Sequence, residues 1–362
     1  EKPLTRLIFG ILFLYLLCVS TAYSQDTLET KRLRIAASIK TVDTLEYPED
    51  HSLLIDVAGN PVGFEVWEGI GKEAKKIVYL NAGNRFAVES FLGTLISSGG
   101  NTILKYRCEA NIMPTSRASF ILYSSEGDVL TTNYNHSTNA VIAMSGDGYF
   151  AIAGARNDTE DANRTYLTVF SPTGDEILSK PLDANHFATK MSLRDNARAI
   201  ALTLTNPEKD SDGMSDIHVY DRSGTLVRSL PDYKYVNTLK FAGRQQQYLV
   251  AFSINSLVLI NAEDGEVIWN RKKFYRLVGP FGLNVSEGQD YLSIVTAELD
   301  DKGGTDFTWR ANLVSLSSGR LLGSVDIEGK FPVSRTKVIE WISERSFKVS
   351  TPFRDVSTVS FD

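Results

Sequence analysis

Cysteine and histidine are scarce in this sequence. Two cysteines and four histidines occur among its 362 residues. These counts exclude a disulfide scaffold and the cysteine-rich metal modules, and they leave little material for a histidine metal centre. Basic charge is not in excess either, since 38 Lys and Arg stand against 44 Asp and Glu, a formal net charge of −6. The chain lacks the basic surplus typical of proteins that bind nucleic acids, so we expect no nucleic acid partner.

Short catalytic motifs are also missing. The sequence contains no Gly-x-Ser-x-Gly elbow, no phosphate loop, no Gly-x-Gly-x-x-Gly and no His-Glu-x-x-His spacing. These patterns place nucleophiles, phosphate cradles and zinc ligands in common enzyme classes. From the sequence we therefore predict no catalytic residue and no residue that binds an organic cofactor.

Only one long apolar run occurs, at residues 7–17. Lys2 and Arg6 precede it, and the small residues Ala22 and Ser24 follow it. The run is too short to span a bilayer, which needs roughly 20 apolar residues. Its layout is that of a secretory signal peptide. We predict that residues 1–24 are removed, that the mature chain has no membrane span, and that it is secreted or periplasmic.

Cys18 offers an alternative, because a lipoprotein is acylated on a cysteine directly after its hydrophobic run. Lipid attachment normally requires a small residue before that cysteine, whereas Leu17 stands there. The lipoprotein alternative is therefore the weaker one. If Cys18 is removed with the signal peptide, Cys108 is the one cysteine that remains. The fold must then be held by a hydrophobic core and not by an intramolecular disulfide.

The rest of the chain alternates two kinds of β-hairpin. The first kind is clearest at residues 141–153, where apolar runs flank a turn whose Asp147-Gly148 pair suits the positive φ of a tight hairpin. Similar units are residues 191–202, 239–252 and 283–295, with fainter ones at 77–88 and 338–349.

The second kind of hairpin is clearest at residues 167–178. Its copies carry turn glycines at 127, 174, 224, 265 and 319, which lie 47, 50, 41 and 54 residues apart, and residues 55–59 resemble an earlier copy. A period of about 40 to 50 residues with four strands per unit is typical of propeller blades. No helical stretch of meaningful length interrupts the pattern, and residues 67–74 are the best helix candidate. The predicted fold class is all-β, a single β-propeller over residues 25–362.

The blade number follows from division. The 338 residues of the mature chain, at roughly 48 per blade, predict seven blades. Strands at 338–343, 346–350 and 356–361 would make three quarters of the last blade, and residues 33–39 would supply its fourth strand and close the ring. Because residues 25–74 repeat poorly, six blades with an N-terminal appendage are the alternative.

Two short stretches resemble known propellers. The Ser-x-Asp-Gly turn at residues 145–148, followed by Tyr149, is similar to blades of the WD-repeat-like and Tol-system propellers. Residues 261–269 resemble a repeat of the quinoprotein alcohol dehydrogenase-like superfamily. The resemblance covers most of residues 75–350 and implies blade architecture. Enzymes of that superfamily usually carry an adjacent cysteine pair, which this chain lacks, so the resemblance implies no quinone cofactor.

Three loops between the second and third strands of a blade are long and acidic. In a blade, these loops lie on the rim opposite both hairpin turns, so the three should share one face. Acidic side chains keep exposed loops soluble, and they could also bind a basic partner or supply the oxygen ligands that calcium prefers. The candidate binding residues are Asp158, Glu160 and Asp161. The candidate ligands of a weak calcium site are Asp210, Asp212, Asp300 and Asp301.

The sequence therefore predicts a monomeric binding or scaffold module whose partner is a protein or a small extracellular ligand. The alternative is a hydrolase or lyase with its site in the central channel. The expected innermost strands, residues 141–144 and 239–241, include Lys240 but no recognisable catalytic set. His218 alternates with apolar residues in a strand, and we expect it to pack between blades.

Overall fold

The computed structural model of the chain describes residues 51–361 apart from several connecting segments. The segments left out are 58–60, 69–74, 90–92, 108–116, 138–139, 157–163, 183–185, 206–213, 244, 254–255, 273–276, 287, 289, 300–306, 328–337, 344 and 352–353. The described residues form 27 strands and two single 3-10 turns, at Ser98–Gly100 and Asp195–Ala197. Neither turn has the length or the apolar character that a membrane-crossing helix needs.

These strands form seven antiparallel sheets, each made of consecutive strands in order. The first sheet contains β1 (His51–Ile55), β2 (Pro61–Glu68), β3 (Lys75–Leu80) and β4 (Arg85–Val88). The second contains β5 (Gly93–Ile96), β6 (Thr102–Arg107), β7 (Arg117–Ser124) and β8 (Val129–Ser137). The third contains β9 (Val141–Met144), β10 (Phe150–Ala155), β11 (Thr165–Phe170) and β12 (Glu176–Pro181). The fourth contains β13 (Phe187–Leu193), β14 (Ala199–Thr205), β15 (Met214–Asp221) and β16 (Leu226–Lys234).

The remaining sheets follow the same plan. The fifth contains β17 (Val236–Ala242), β18 (Tyr248–Ser253), β19 (Ser256–Asn261) and β20 (Val267–Lys272). The sixth contains β21 (Leu277–Val285), β22 (Tyr291–Leu299), β23 (Phe307–Ser315) and β24 (Leu321–Ile327). The seventh contains three described strands, β25 (Val338–Ser343), β26 (Ser346–Thr351) and β27 (Arg354–Ser360).

The first strands of neighbouring sheets contact one another. β5 contacts β9, β9 contacts β13, and the series continues through β17 and β21 to β25. The first strand of each sheet is therefore the innermost and the last is the outermost, which is the arrangement of a propeller. The chain is a seven-bladed β-propeller, as predicted, and the six-blade alternative is wrong because residues 51–88 form blade 1.

The core lies between blades. Side chains alternate along each strand, so every sheet presents one apolar face to each neighbouring blade. Between blades 4 and 5, for example, buried Val219 and Ile217 pack with Leu249 and Val258. Clusters of this kind join each successive pair from blades 1 and 2 to blades 6 and 7.

Some local predictions were wrong. Trp67, the first residue of the helix candidate at 67–74, lies in strand β2, and residues 69–74 are outside the described part of the chain. Residues 77–88 were predicted as a hairpin of the first kind, but they form the β3–β4 hairpin, which is of the second kind. Residues 55–59 were predicted as an early copy of the second kind, but Ile55 ends the innermost strand β1 and so belongs to a hairpin of the first kind. Apolar alternation does not distinguish the two hairpins when their turns lack Asp-Gly. Residues 33–39, predicted to close the ring, lie outside the described residues.

Candidate functional site

The propeller has two rims of different character. We name the rim that carries both hairpin turns of each blade the turn rim, and the opposite one the loop rim. Loops between the second and third strands, and connections between blades, lie on the loop rim. The predicted site residues belong to the loop rim.

Turns of blades 3 and 4 are tied together on the turn rim. The Asp195 Oδ1 atom accepts a hydrogen bond from the Gly146 amide at 2.8 Å. The Asp147 Oδ2 atom accepts one from the Asn196 amide at 2.7 Å. Turn chemistry alone would explain both aspartates, yet each carboxylate binds the backbone of the neighbouring blade. The pair therefore locks two blades together.

This bonding continues from blade 1 to blade 5, so we name the bonded turns the turn collar. The remaining bonds run from the Gly99 amide to Asp56 Oδ2 (3.3 Å), from the Ser98 amide to the Gly146 carbonyl (2.8 Å), and from the Asp195 amide to Gln246 Oε1 (2.7 Å). Backbone and side-chain groups that a ligand could have used are occupied within the collar. The turn rim of these blades is thus a braced surface.

Strand ends place the three acidic segments on the loop rim. The segments follow Ala155, Thr205 and Leu299, the last residues of second strands, and precede the third strands of blades 3, 4 and 6. The predicted connectivity is confirmed. The side chains of the candidate residues themselves lie outside the described part of the chain, namely Asp158, Glu160, Asp161, Asp210, Asp212, Asp300 and Asp301.

The acidic segments are dense in negative charge. Residues 157–163 contain three carboxylates, 206–213 three carboxylates and one lysine, and 300–306 three carboxylates and one lysine. Their combined formal charge is more negative than the net −6 of the whole chain. The bases next to the first segment are engaged within their blade: Arg156 pairs with Glu176 and Arg164 donates to the Leu182 carbonyl.

A buried charged cluster lies between blades 1 and 2. Glu65 of β2 accepts a hydrogen bond from the fully buried Lys105 of β6 and pairs with Lys76 at 2.5 Å. The Lys105 ammonium also donates to Thr94 Oγ1 at 2.8 Å. Burial lowers the pKa of Lys105, while the Glu65 carboxylate opposes that change. Sequence reasoning could not find this cluster, because Lys105 lies in a mostly apolar strand that looks like any other.

Lys240 lies in the innermost strand β17, and it is the basic residue that was noted from the sequence as a possible channel residue. It is half-buried, and its ammonium donates to the Leu283 carbonyl of the next blade at 3.3 Å. Burial lowers its pKa, and the buried Asp56 carboxylate of blade 1 acts in the opposite direction. At the corresponding position of blade 4, Ser192 accepts a hydrogen bond from the Phe241 amide. Both side chains therefore link one innermost strand to the next.

His218 is 7% exposed, which confirms its predicted place inside the blade packing. Its Nδ1 atom lies 3.1 Å from the Tyr220 hydroxyl, and its Nε2 atom lies 3.2 Å from the Ser229 hydroxyl. The Ser229 contact follows from the β15–β16 register, which pairs the two residues directly. No three His, Cys, Asp or Glu side chains among the described residues converge on a point that could hold a metal ion.

Comparison with known proteins shows the fold and nothing finer. No protein-family model matches the chain, and no curated protein matches it in sequence. A chain from a structural and mechanistic analysis of two prolyl endopeptidases aligns with a TM-score of 0.52 and 11% identity over 83% of this chain. This chain spans 45% of the length of that one. The Dos1 propeller aligns with a TM-score of 0.49 and 11% identity, over 84% of this chain and 81% of its own.

Proposed function

We propose that this protein is an exported propeller that binds a basic protein partner through its loop rim. The observation that carries the proposal is the placement of the three acidic segments. They connect second to third strands in blades 3, 4 and 6, and the strand ends that flank them all lie on the loop rim. Loops held by a rigid scaffold are the usual carriers of recognition.

The charge of the acidic segments and the rigidity of the opposite rim both favour the loop rim as the binding surface. The segments concentrate more negative charge than the chain carries as a whole, and a field of one sign steers an oppositely charged partner. The turn collar braces the opposite rim of blades 1 to 5. Export directed by the signal peptide would place this surface outside the cytoplasm.

Binding of a lysine-rich peptide of about ten residues tests the proposal. The test variant is Asp158→Asn/Glu160→Gln/Asp161→Asn/Asp300→Asn/Asp301→Asn. We expect its Kd to rise by at least tenfold, and we expect the affinity of the unmodified protein to fall as salt screens the charges. Fluorescence anisotropy of a labelled peptide measures both.

A matched variant on the turn rim controls for net charge. The exposed carboxylates of the hairpin turns include Glu126, Asp128, Asp175, Asp264 and Glu266. The variant Glu126→Gln/Asp128→Asn/Asp175→Asn/Asp264→Asn/Glu266→Gln removes five charges there, as many as the test variant does. We expect this variant to bind the peptide as the unmodified protein does. Equal loss of affinity in both variants would show that net charge, not the loop rim, attracts the peptide.

Calcium is the competing ligand for the same carboxylates. Calorimetry with calcium on the unmodified protein and on Asp210→Ala/Asp212→Ala separates the two ligands. Binding heat that disappears in the variant would assign these loops to the ion, whereas peptide binding that persists without calcium supports the protein partner.

The channel alternative is less well supported. Lys240 is the innermost-strand base with a lowered pKa, but its ammonium donates to the backbone of the next blade. A group used in this way holds blades together.

A further inference from the structure

The junction between blades 7 and 1 differs from the others. In blades 2 to 6, a Cβ added to the turn glycine between the third and fourth strands would meet an outer-strand side chain of the preceding blade within 3.0 Å. The contacts are Gly127 to Phe86, Gly174 to Thr131, Gly224 to Leu178, Gly265 to Arg228 and Gly319 to Trp269. Gly83 occupies this position in blade 1, and no atom of the described residues lies within 4 Å of its added Cβ.

Blade 7 shows the same gap from its own side. In blades 2 to 6, one third-strand residue pairs with the third residue of the outer strand, and each such residue is at most 1% exposed. These residues are Leu122 (0%), Val169 (1%), Val219 (1%), Leu259 (0%) and Leu313 (1%). The corresponding residue of β27, judged from its pairing with β26, is Thr358, which is exposed. An outermost strand is therefore missing from the described part of this sheet.

The order of the chain indicates what fills the gap. In the six other junctions the chain runs from an outermost strand to the next innermost strand through one residue (235) to ten residues (328–337). Strand β1 begins at His51, so by the same chain order an outermost strand of blade 7 would come just before it in the sequence. Residues 33–39 read Leu-Arg-Ile-Ala-Ala-Ser-Ile, with apolar residues at alternate positions and eleven residues left to reach His51.

We propose that residues 33–39 form the fourth, outermost strand of blade 7. Counting from Leu33, the third residue is Ile35, which then pairs with Thr358 and faces Gly83 of blade 1. Leu33, Ala37 and Ile39 share the face of Ile35, because side chains alternate along a strand. This strand covers the open edge of the last sheet and adds apolar surface to the junction with blade 1.

A designed disulfide tests the strand and its register. The mature chain, residues 25–362 with Cys108→Ser, carries Ile35→Cys and Thr358→Cys. Directly paired residues on antiparallel strands have Cα atoms about 4.5 to 5.5 Å apart, within disulfide reach. We expect oxidation to give an intramolecular disulfide in most molecules, seen as faster migration on a non-reducing gel and as the loss of two hydrogens by intact mass.

Two matched pairs serve as controls. Arg34→Cys/Thr358→Cys moves the cysteine to the opposite face of the proposed strand, and Ile35→Cys/Ser229→Cys places it on the exposed outer strand of blade 4. We expect little crosslinking in either. Preferential crosslinking of residue 34 would overturn the register. Disulfides formed only between two chains, or none at all, would overturn the proposal and assign the edge to a second copy or another partner.

Discussion

At the scale of single residues, the turn glycines of the second hairpin in blades 2 to 6 have two physical reasons to be glycine. Gly265 has a φ of +69°, a region that side chains rarely adopt. It also lies against the preceding blade, where an added Cβ would stand 2.3 Å from the Cβ atom of Arg228. Glycine therefore recurs at these turn positions for two reasons: the turn needs a positive φ, and the neighbouring blade lies too close for a side chain.

Substitution by alanine separates these two effects. Gly99 has a φ of +73° with open space around its added Cβ, so Gly99→Ala carries only the backbone strain, about 1 kcal/mol. We expect Gly265→Ala to cost about 2 to 4 kcal/mol, since overpacking adds to the strain. Urea denaturation measures both free energies of unfolding. Similar losses in the two variants would show that the inter-blade contact does not constrain this glycine.

Glu65 pairs with the buried ammonium group of Lys105 and the half-buried one of Lys76, and its removal should be costly. Glu65→Gln leaves Lys76 and Lys105 uncompensated, so we expect a loss of about 3 kcal/mol in the free energy of unfolding at pH 7. Adding Lys105→Met to that variant should restore more than half of the loss. A double variant as unstable as Glu65→Gln alone would contradict this account of the cluster.

The stability of the protein should also depend on pH through Lys105. Burial holds its folded-state pKa below the unfolded value of about 10.4, so between the two the unfolded chain binds more protons and stability rises with pH. Glu65→Gln removes the opposing carboxylate, lowers this pKa further, and should start the rise at a lower pH. Urea midpoints measured from pH 7 to 10 test this, and Lys105→Met should lack the contribution.

At the scale of structural elements, the turn collar couples blades through side chains of short turns. Asp195→Ala removes the acceptor of the Gly146 amide, a hydrogen bond to a charged group worth about 1.5 kcal/mol or more. We expect the Gly146 amide to exchange with solvent at least tenfold faster, as measured by hydrogen exchange. The control is Asp264→Ala, whose carboxylate binds the Glu266 amide inside its own turn and should leave Gly146 unchanged. Unaltered protection of Gly146 in Asp195→Ala would contradict a role for the collar.

The sequence predicts strands and turns well because their causes are local. Apolar alternation around Asp147-Gly148 is sufficient to identify the β9–β10 hairpin, which the structure confirms. The partners of Asp195 and Lys105 could not be predicted, because each meets a residue of a neighbouring blade 40 or more positions away. The handedness of the ring determines which face of a blade packs against which neighbour. Composition and residue spacing do not contain that information.

At the scale of the whole molecule, the strand ends that flank the acidic segments lie on one rim, whereas the proposed compartment rests on residues 1–24. We expect the mature protein to begin at Gln25, because residues 7–17 with their flanks have the layout of a cleaved signal. Intact-mass measurement of protein purified from an expressing cell tests this. A mass that retains residues 7–17 without modification would contradict export by this route.

Closing the ring through residues 33–39 would also set an order of events during synthesis. Each of blades 2 to 6 is encoded within 37 residues (236–272) to 51 residues (277–327), so its strands can pair within seconds of leaving the ribosome. Ile35 and Thr358 are separated by 323 positions, which at about 5 to 20 residues per second is a delay of roughly 15 to 65 s. The first strand to emerge would be the last to pair, and ring closure would then be the slow final step of folding after translocation.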